Sequence, residues 1–211
     1  MKVTVIGAGN MGSAFVKQLA AAGHEVSVVA RDHAKAQALA SRFAGVTAPE
    51  AASAAARDSE LFVVATAHPD AVAALQSLGT LAGKVIIDIT NPLTADYMGL
   101  TLGHTISSAE QIAAALPDVR VVKAFNTVFA QVLDGGADFG NGQKVSVFVA
   151  ADDADAKRTV TSLAEGMGFA TIDAGPLKNA RYLEPLAGLN IYLGYGAGLG
   201  TAIAPTWIHK A

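Results

Sequence analysis

Val3-Thr4-Val5-Ile6-Gly7-Ala8-Gly9-Asn10-Met11-Gly12 decides how this chain is read. Its first four residues form a short continuous run, the pattern of a parallel strand covered on both faces. The run feeds directly into G-x-G-x-x-G. Residues 10–22 then read as a helix, with Met11, Phe15, Leu19 and Ala22 on one face and Gly23 as the stop. The glycine motif alone is a weak signal. A strand before it and a helix behind it make the context of a dinucleotide-binding turn. There Gly7 permits the tight bend, Gly9 lets the backbone approach a pyrophosphate, and Gly12 lets the helix pack on the strand. The unpaired amides at the helix N-terminus favour an anion.

The same alternation continues along the chain. Residues 26–30, 61–65, 85–89, 119–124, 145–150 and 169–173 read as further strands. Asp32 caps a helix reaching about Phe43. Pro69 suits the first residue of the next helix. Ser107-Ser108-Ala109-Glu110 matches a capping box that opens a helix ending before Pro117. Asp152, Asp153 and Asp155 favour a helix start through the dipole. A last helix begins near Leu177 or Lys178. The expectation is an α/β fold with a Rossmann-type doubly wound, mostly parallel sheet. Residues 1–176 form the dinucleotide-binding domain, and residues 177–211 a C-terminal helical and apolar segment packed on it.

Composition narrows the function. A length of 211 residues leaves little chain for a separate substrate domain. With 52% hydrophobic and 16% charged residues, the chain is not a disordered one. The absence of cysteine excludes disulfides, thiolate metal sites and cysteine nucleophiles. A formal net charge of -3 without a long basic run argues against a nucleic-acid partner. No H-x-x-x-H or carboxylate cluster suggests a metal site. The N-terminus enters a strand at once with no basic n-region, so a cytoplasmic protein is expected. Residues 185–208 carry no charge and are long enough to span a bilayer. Asn190, five glycines from Gly188 to Gly200, and Pro205 interrupt that run. A buried helix followed by an irregular apolar tail at a homodimer interface is expected instead, with no membrane contact.

The second strand ends Val28-Val29-Ala30-Arg31. An NAD site commonly places an acid there for the ribose hydroxyls, whereas this chain places Arg31 where a 2′-phosphate would sit. Lys35 follows in the first helical turn, where a cation opposes the dipole unless an anion is bound. Asp32 is the rival ribose ligand, but its reading as a helix cap is the simpler one. NADP is therefore favoured over NAD.

Ligands of such sheets bind beyond the carboxyl ends of the strands. Thr66-Ala67-His68-Pro69, Asp88-Ile89-Thr90-Asn91-Pro92-Leu93, Lys123-Ala124-Phe125-Asn126-Thr127 and Asp173-Ala174-Gly175-Pro176-Leu177 end strands and enter this region. They contain no obvious triad, and Ser107 and Ser108 read as caps. His68 is the one histidine at a strand end, able to contact the nicotinamide ribose or to move a proton. His68 and Asn126 are the acceptor-side candidates.

Taken together, the glycine fingerprint, Arg31 with Lys35, residues 123–127, residues 173–177, and Asn179, Arg181 and Glu184 resemble the coenzyme F420-dependent NADP oxidoreductase family. That family includes the cytosolic reductase domain of the membrane metalloreductases. The resemblance covers essentially the whole chain. It implies an N-terminal NADP-binding Rossmann domain and direct hydride exchange between nicotinamide and a deazaflavin or flavin, with F420 or a flavin as co-substrate. By matching positions, Ala8, Gly9, Asn10 and Met11 would cradle the pyrophosphate. Arg31 and Lys35 would hold the 2′-phosphate, and Ala67, Asn91 and Ala130 would approach the nicotinamide half; Thr66 and His68 flank Ala67. The chain departs from the archaeal deazaflavin reductases at residues 90–93 and at Phe125-Asn126, segments that border the acceptor. The acceptor therefore does not follow from the resemblance.

Hydride transfer between two bound rings needs proximity and orientation more than an acid or base. An NADPH-dependent oxidoreductase with a small-molecule hydride acceptor is thus the leading expectation. Tyr192 and Tyr195 are candidates to line a flat pocket floored by residues 186–203. The alternatives are reduction of a small imine or carbonyl, which Lys178 at the cleft mouth would favour, and a non-catalytic NADPH-binding sensor.

Overall fold

The computed structural model describes residues 1–140, 142–207 and 210; Ile208, at the end of the apolar run, and His209 lie outside them. Eight strands form one sheet in the order β3-β2-β1-β4-β5-β6-β7-β8. They are β1 Lys2–Ile6, β2 Glu25–Val29, β3 Val46–Thr47, β4 Leu61–Val64, β5 Val85–Asp88, β6 Arg120–Lys123, β7 Ser146–Ala151 and β8 Ala170–Asp173. The helices are α1 Asn10–Ala21, α2 His33–Ala40, α3 Ala52–Asp58, α4 Ala71–Gln76, α5 Ser108–Ala115, α6 Ala130–Gly135, α7 Ala154–Gly166 and α8 Ala180–Ile191. The fold is the Rossmann-type, mostly parallel α/β architecture expected.

The central strands are apolar on both faces because both are covered. Val3, Val5, Leu61, Val63, Val85, Ile87 and Val122 join one core with Phe15, Leu19 and Leu133. Their neighbours Ile6, Phe62, Val64, Ile86 and Val121 join the opposite core with Leu75 and Ile112. Thr4 interrupts this pattern, and its hydroxyl is matched by the buried Ser59 hydroxyl at 2.8 Å. An unmatched hydroxyl there would carry a desolvation cost.

Helix starts obey the local chemistry. Ser107 accepts from the Glu110 amide at 3.2 Å, and Glu110 accepts from the Ser107 amide at 2.9 Å, completing the capping box. Asp32 accepts from the Lys35 amide at 3.3 Å, and Asp153 from the Ala156 amide at 2.7 Å. Pro69 does not open a helix directly: it is the second residue of a 3-10 turn, His68–Asp70, and α4 begins at Ala71. A second 3-10 turn, Leu177–Asn179, precedes α8.

Two elements escape sequence patterning. β3 has two residues, and α3, ASAAARD, is too rich in alanine to show an apolar stripe. The larger difference is β7, which runs antiparallel to β6, pairing Lys123 with Ala150. The six-residue α6 spans only about 9 Å. The chain after it therefore re-enters the sheet from the cleft end. β8 pairs parallel to β7 and shares its reversed direction. Residues 173–177 consequently do not join the cleft loops, which corrects their placement from sequence. They turn instead into α8, which packs Leu183 on Phe148 and Ala150 of β7.

The apolar run after Pro185 is divided among α8, a π turn at Tyr192–Gly196 and an extended tail. Phe148 meets Trp207 edge-on, with ring centroids 5.2 Å apart. Among the described residues, no helix is long and apolar enough to cross a membrane.

Candidate active site

The site is built where β1, β4, β5 and β6 end together. Gly7 leaves β1 with φ +118°, its amide bonded to the Val29 carbonyl at 2.7 Å. A Cβ on Gly7 would lie 2.4 Å from the Ala65 carbonyl oxygen, and one on Gly12 would lie 2.0 Å from the Gly7 carbonyl oxygen. These two glycines weld the turn to β4 and to α1. Gly9 is different, because a Cβ there would meet nothing within 4 Å. Protein packing does not require that glycine. Open space beside an exposed helix N-terminus is what a closely approaching diphosphate needs. The donor set therefore fits a dinucleotide.

Arg31 and Lys35 flank this turn at the end of β2, both highly exposed. Arg31 makes one contact at 3.4 Å with Asp70, and Lys35 one at 3.8 Å with Asp32. Neither pair is buried, so both cations are available to an anion at little cost.

At the end of β6, Phe125 adopts φ +60° although it is not glycine. Left-handed backbone costs an L-residue about 1–2 kcal/mol. The bend seats the Phe125 ring edge-on between Phe15, at 5.0 Å, and Phe169, at 5.8 Å. It also turns Asn126 towards β5 and α8. Asn91 donates to the Asn126 carbonyl at 2.8 Å, while the Asn126 side-chain amide donates to Asn91 Oδ1 at 2.9 Å and to the Leu183 carbonyl at 2.8 Å. Asn126 Oδ1 and Thr127 Oγ1 are buried without a partner among the described residues. Two unanswered polar atoms beyond the strand ends suit a ligand that brings hydrogen-bond donors. Ala130 begins α6 just beyond them.

The structure adds a cluster that sequence reading missed. Lys123 is fully buried. Its ammonium lies 2.9 Å from Asp88 Oδ2 and 2.8 Å from Glu184 Oε1, and also donates to the Thr90 carbonyl. Asp88 Oδ1 accepts from the Thr90 amide at 2.8 Å. Glu184 Oε2 accepts from the Ser108 amide at 3.0 Å, at the start of α5. Ser108 is therefore not a cap; its hydroxyl donates to Asp88 Oδ2 at 3.3 Å and lies 3.0 Å from His68 Nδ1. Burial lowers the His68 pKa, partly offset by the Asp88 and Glu184 carboxylates, while Lys123 lowers it further. His68 thus stands at the outer end of a buried polar array. The one signal in the sequence was a lysine and an aspartate ending apolar strands.

Other expected residues stand apart. Lys178 lines a groove with His104, Asn179, Arg181, Tyr182 and Pro185, none of which belongs to the glycine turn or to the ends of β1, β4, β5 and β6. That removes the feature favouring an imine or carbonyl substrate. Arg181 pairs with Glu110 at 2.6 Å and braces α8 on α5. Tyr192 and Tyr195 are exposed, and Tyr195 stacks edge-on with Phe129 at 5.8 Å. No group of three or more histidine and acidic residues placed to hold a metal occurs among the described residues.

Comparison with known proteins places the chain in a family. Residues 2–92 match the family model described as NADP oxidoreductase, coenzyme F420-dependent. The chain is 32% identical over 213 residues to the F420-dependent NADP reductase of Methanothermobacter marburgensis, covering 92% of both chains. It is also 32% identical over 185 residues to Metalloreductase STEAP3 of Rattus norvegicus, using 88% of this chain but spanning only 36% of that relative. A crystal structure assigned to an F420-dependent NADP-reductase from Arthrobacter sp. FB24 superposes with a TM-score of 0.88 at 34% identity, covering 99% of this chain and 100% of that one. The chain belongs to the coenzyme F420-dependent NADP oxidoreductase family.

Proposed function

We propose that this protein transfers hydride between NADP(H) and a deazaflavin or flavin-like acceptor. The observation that carries the reading is the open space at Gly9 beneath the α1 N-terminus, between two glycines that packing does require. Bound NADP(H) supplies the hydride chemistry. The protein's part is to bind and orient. The α1 amides and residues 7–12 hold the diphosphate, and Arg31 and Lys35 hold the 2′-phosphate. Thr66, Ala67, Asn91 and Ala130 border the nicotinamide half. Asn126 Oδ1 and Thr127 Oγ1 accept hydrogen bonds from the bound ligands.

The acceptor reading is supported by the Methanothermobacter marburgensis relative, an F420-dependent NADP reductase matched over 92% of its length. It is tested with purified protein, NADPH and a panel of F420, FMN, FAD and riboflavin. Oxidation of NADPH with F420 or a flavin is expected; none with any of the four contradicts the reading.

The C-terminal segment is the expected dimer contact, since Leu189, Tyr192, Tyr195 and Leu199 are all exposed on it. Light scattering should give twice the mass of the 211-residue chain. A monomer at micromolar concentration contradicts this.

A further inference from the structure

The Asp88–Lys123–Glu184 side chains are too deeply buried to touch a bound nucleotide directly. The array lies out of solvent, and two carboxyl groups share one ammonium. One side-chain route outward runs through Ser108, and beyond Ser108 stands the half-buried His68.

The hydroxyl of Ser108 has a single proton. Asp88 Oδ2, at 3.3 Å, can only accept, whereas Thr90 Oγ1, at 2.5 Å, can itself donate to Ser108, so directing the Ser108 proton inward satisfies both neighbours. A hydroxyl already donating to Asp88 can only accept from His68. In that arrangement Nδ1, 3.0 Å away, carries the imidazole hydrogen. Thr90 Oγ1 also lies against Ser108 Oγ and holds the hydroxyl in place. Neutral His68 therefore presents a bare lone pair at Nε2, which has no hydrogen-bond partner among the described residues.

We propose that His68 is the site's proton-transfer residue, working through Nε2, and that Ser108 with the Asp88–Lys123–Glu184 array is the positioning device that fixes its tautomer. This rests on the hydride-transfer reading above. In the direction that reduces NADP+, His68 takes up the proton that a reduced deazaflavin releases from its ring nitrogen. The ring C–H bond breaks with its electron pair, a C–H bond forms at nicotinamide C4, and the N–H proton moves to Nε2. The deazaflavin is oxidised, NADP+ is reduced, and His68 passes its proton to water. In the opposite direction the imidazolium returns the proton.

The environment suits both states. Burial favours the neutral ring at rest, while Asp88 and Glu184 favour the imidazolium once it forms, and Lys123 moderates them. Those three groups, on β5, α8 and β6, are the ionisable ones acting on the imidazole. Asp70, on the same turn, faces Arg31 at 3.4 Å rather than the imidazole.

The test has two readouts. In nitrogen NMR of the NADP+-bound protein, neutral His68 should show protonated Nδ1 and bare Nε2, and Ser108→Ala should remove that preference. A protonated Nε2 in the wild type, or a tautomer unmoved in Ser108→Ala, overturns the positioning device. In the second readout, kcat for NADP+ reduction by reduced F420 should rise with pH through the histidine range. His68→Gln should lower kcat about 100-fold or more and abolish that rise. Normal turnover with an unchanged pH profile in His68→Gln overturns the proton step alone. A wild type that turns over no deazaflavin overturns the acceptor reading and the proton step with it. The NMR arm still decides the tautomer in that case.

Discussion

Lys123 Nζ lies 2.9 Å from Asp88 Oδ2 at the adjacent ends of β6 and β5, with both side chains fully excluded from solvent. Water cannot replace either partner there. Removing one leaves an uncompensated buried charge, at a cost of about 3–5 kcal/mol. Lys123→Met should therefore lose stability on that scale in urea denaturation. Lys123→Met combined with Glu184→Gln should lose less than the sum of the two single changes, because the second removes a carboxyl group the first has stranded. Strict additivity would show that the ammonium does not serve both carboxylates.

Arg31 makes only a long, exposed contact with Asp70, so its substitution should leave the fold unchanged. A charged hydrogen bond to a phosphate contributes about 1.5–3 kcal/mol. Arg31→Ala should weaken NADPH roughly 10- to 150-fold while barely changing NADH. Equal losses in fluorescence titrations with the two cofactors would remove Arg31 from the 2′-phosphate site.

The three motif glycines should separate by phenotype. Gly12→Ala places a Cβ 2.0 Å from the Gly7 carbonyl oxygen and forces α1 off β1. It should lower the melting temperature markedly. Gly9→Ala meets no protein atom within 4 Å and keeps φ at −82°. It should alter stability by less than about 1 kcal/mol yet impair nucleotide binding, because the added methyl occupies the phosphate's approach. Unimpaired NADPH binding by Gly9→Ala would place the phosphates elsewhere.

Arg181 holds the Glu110 carboxyl below its ordinary value of 4.5, chiefly by hydrogen bonding to it. A carboxylate with a depressed folded-state pKa stabilises the protein above its unfolded pKa, and that contribution is lost as pH falls through the folded value. Asp173, lowered by its hydrogen bond with Lys157, behaves in the same way. The destabilisation caused by Arg181→Gln should thus be greatest near neutral pH and shrink as pH drops below about 4.5. A destabilisation independent of pH would mean that Arg181 acts by packing alone.

The parts legible in the sequence are those governed by near neighbours. The turn of residues 7–12, the Ser107 capping box and the Asp32 cap each depend on residues within one turn of each other, and each forms as read. The apolar strands are legible because a doubly covered strand needs no alternation. The reversal of β7 was not legible, since it depends on the short reach of α6 rather than on any pattern within β7. Nor was the buried array, whose members Asp88, Ser108, Lys123 and Glu184 come from four elements. A lysine at a strand end reads as solvated until the fold brings two carboxylates to it. His68 was visible as the one histidine at a strand end, but its link to Ser108 spans 40 residues.

The chemistry proposed for this protein is direct hydride transfer between nicotinamide and a deazaflavin or flavin-like ring. Its sharpest test is the fate of deuterium from NADPH stereospecifically labelled at C4, mixed anaerobically with the protein and oxidised F420 and followed by mass spectrometry. With the transferred face labelled, deuterium should appear on the reduced deazaflavin ring and not in water. Label released to water, or no reduction of F420 or of any flavin, would contradict it.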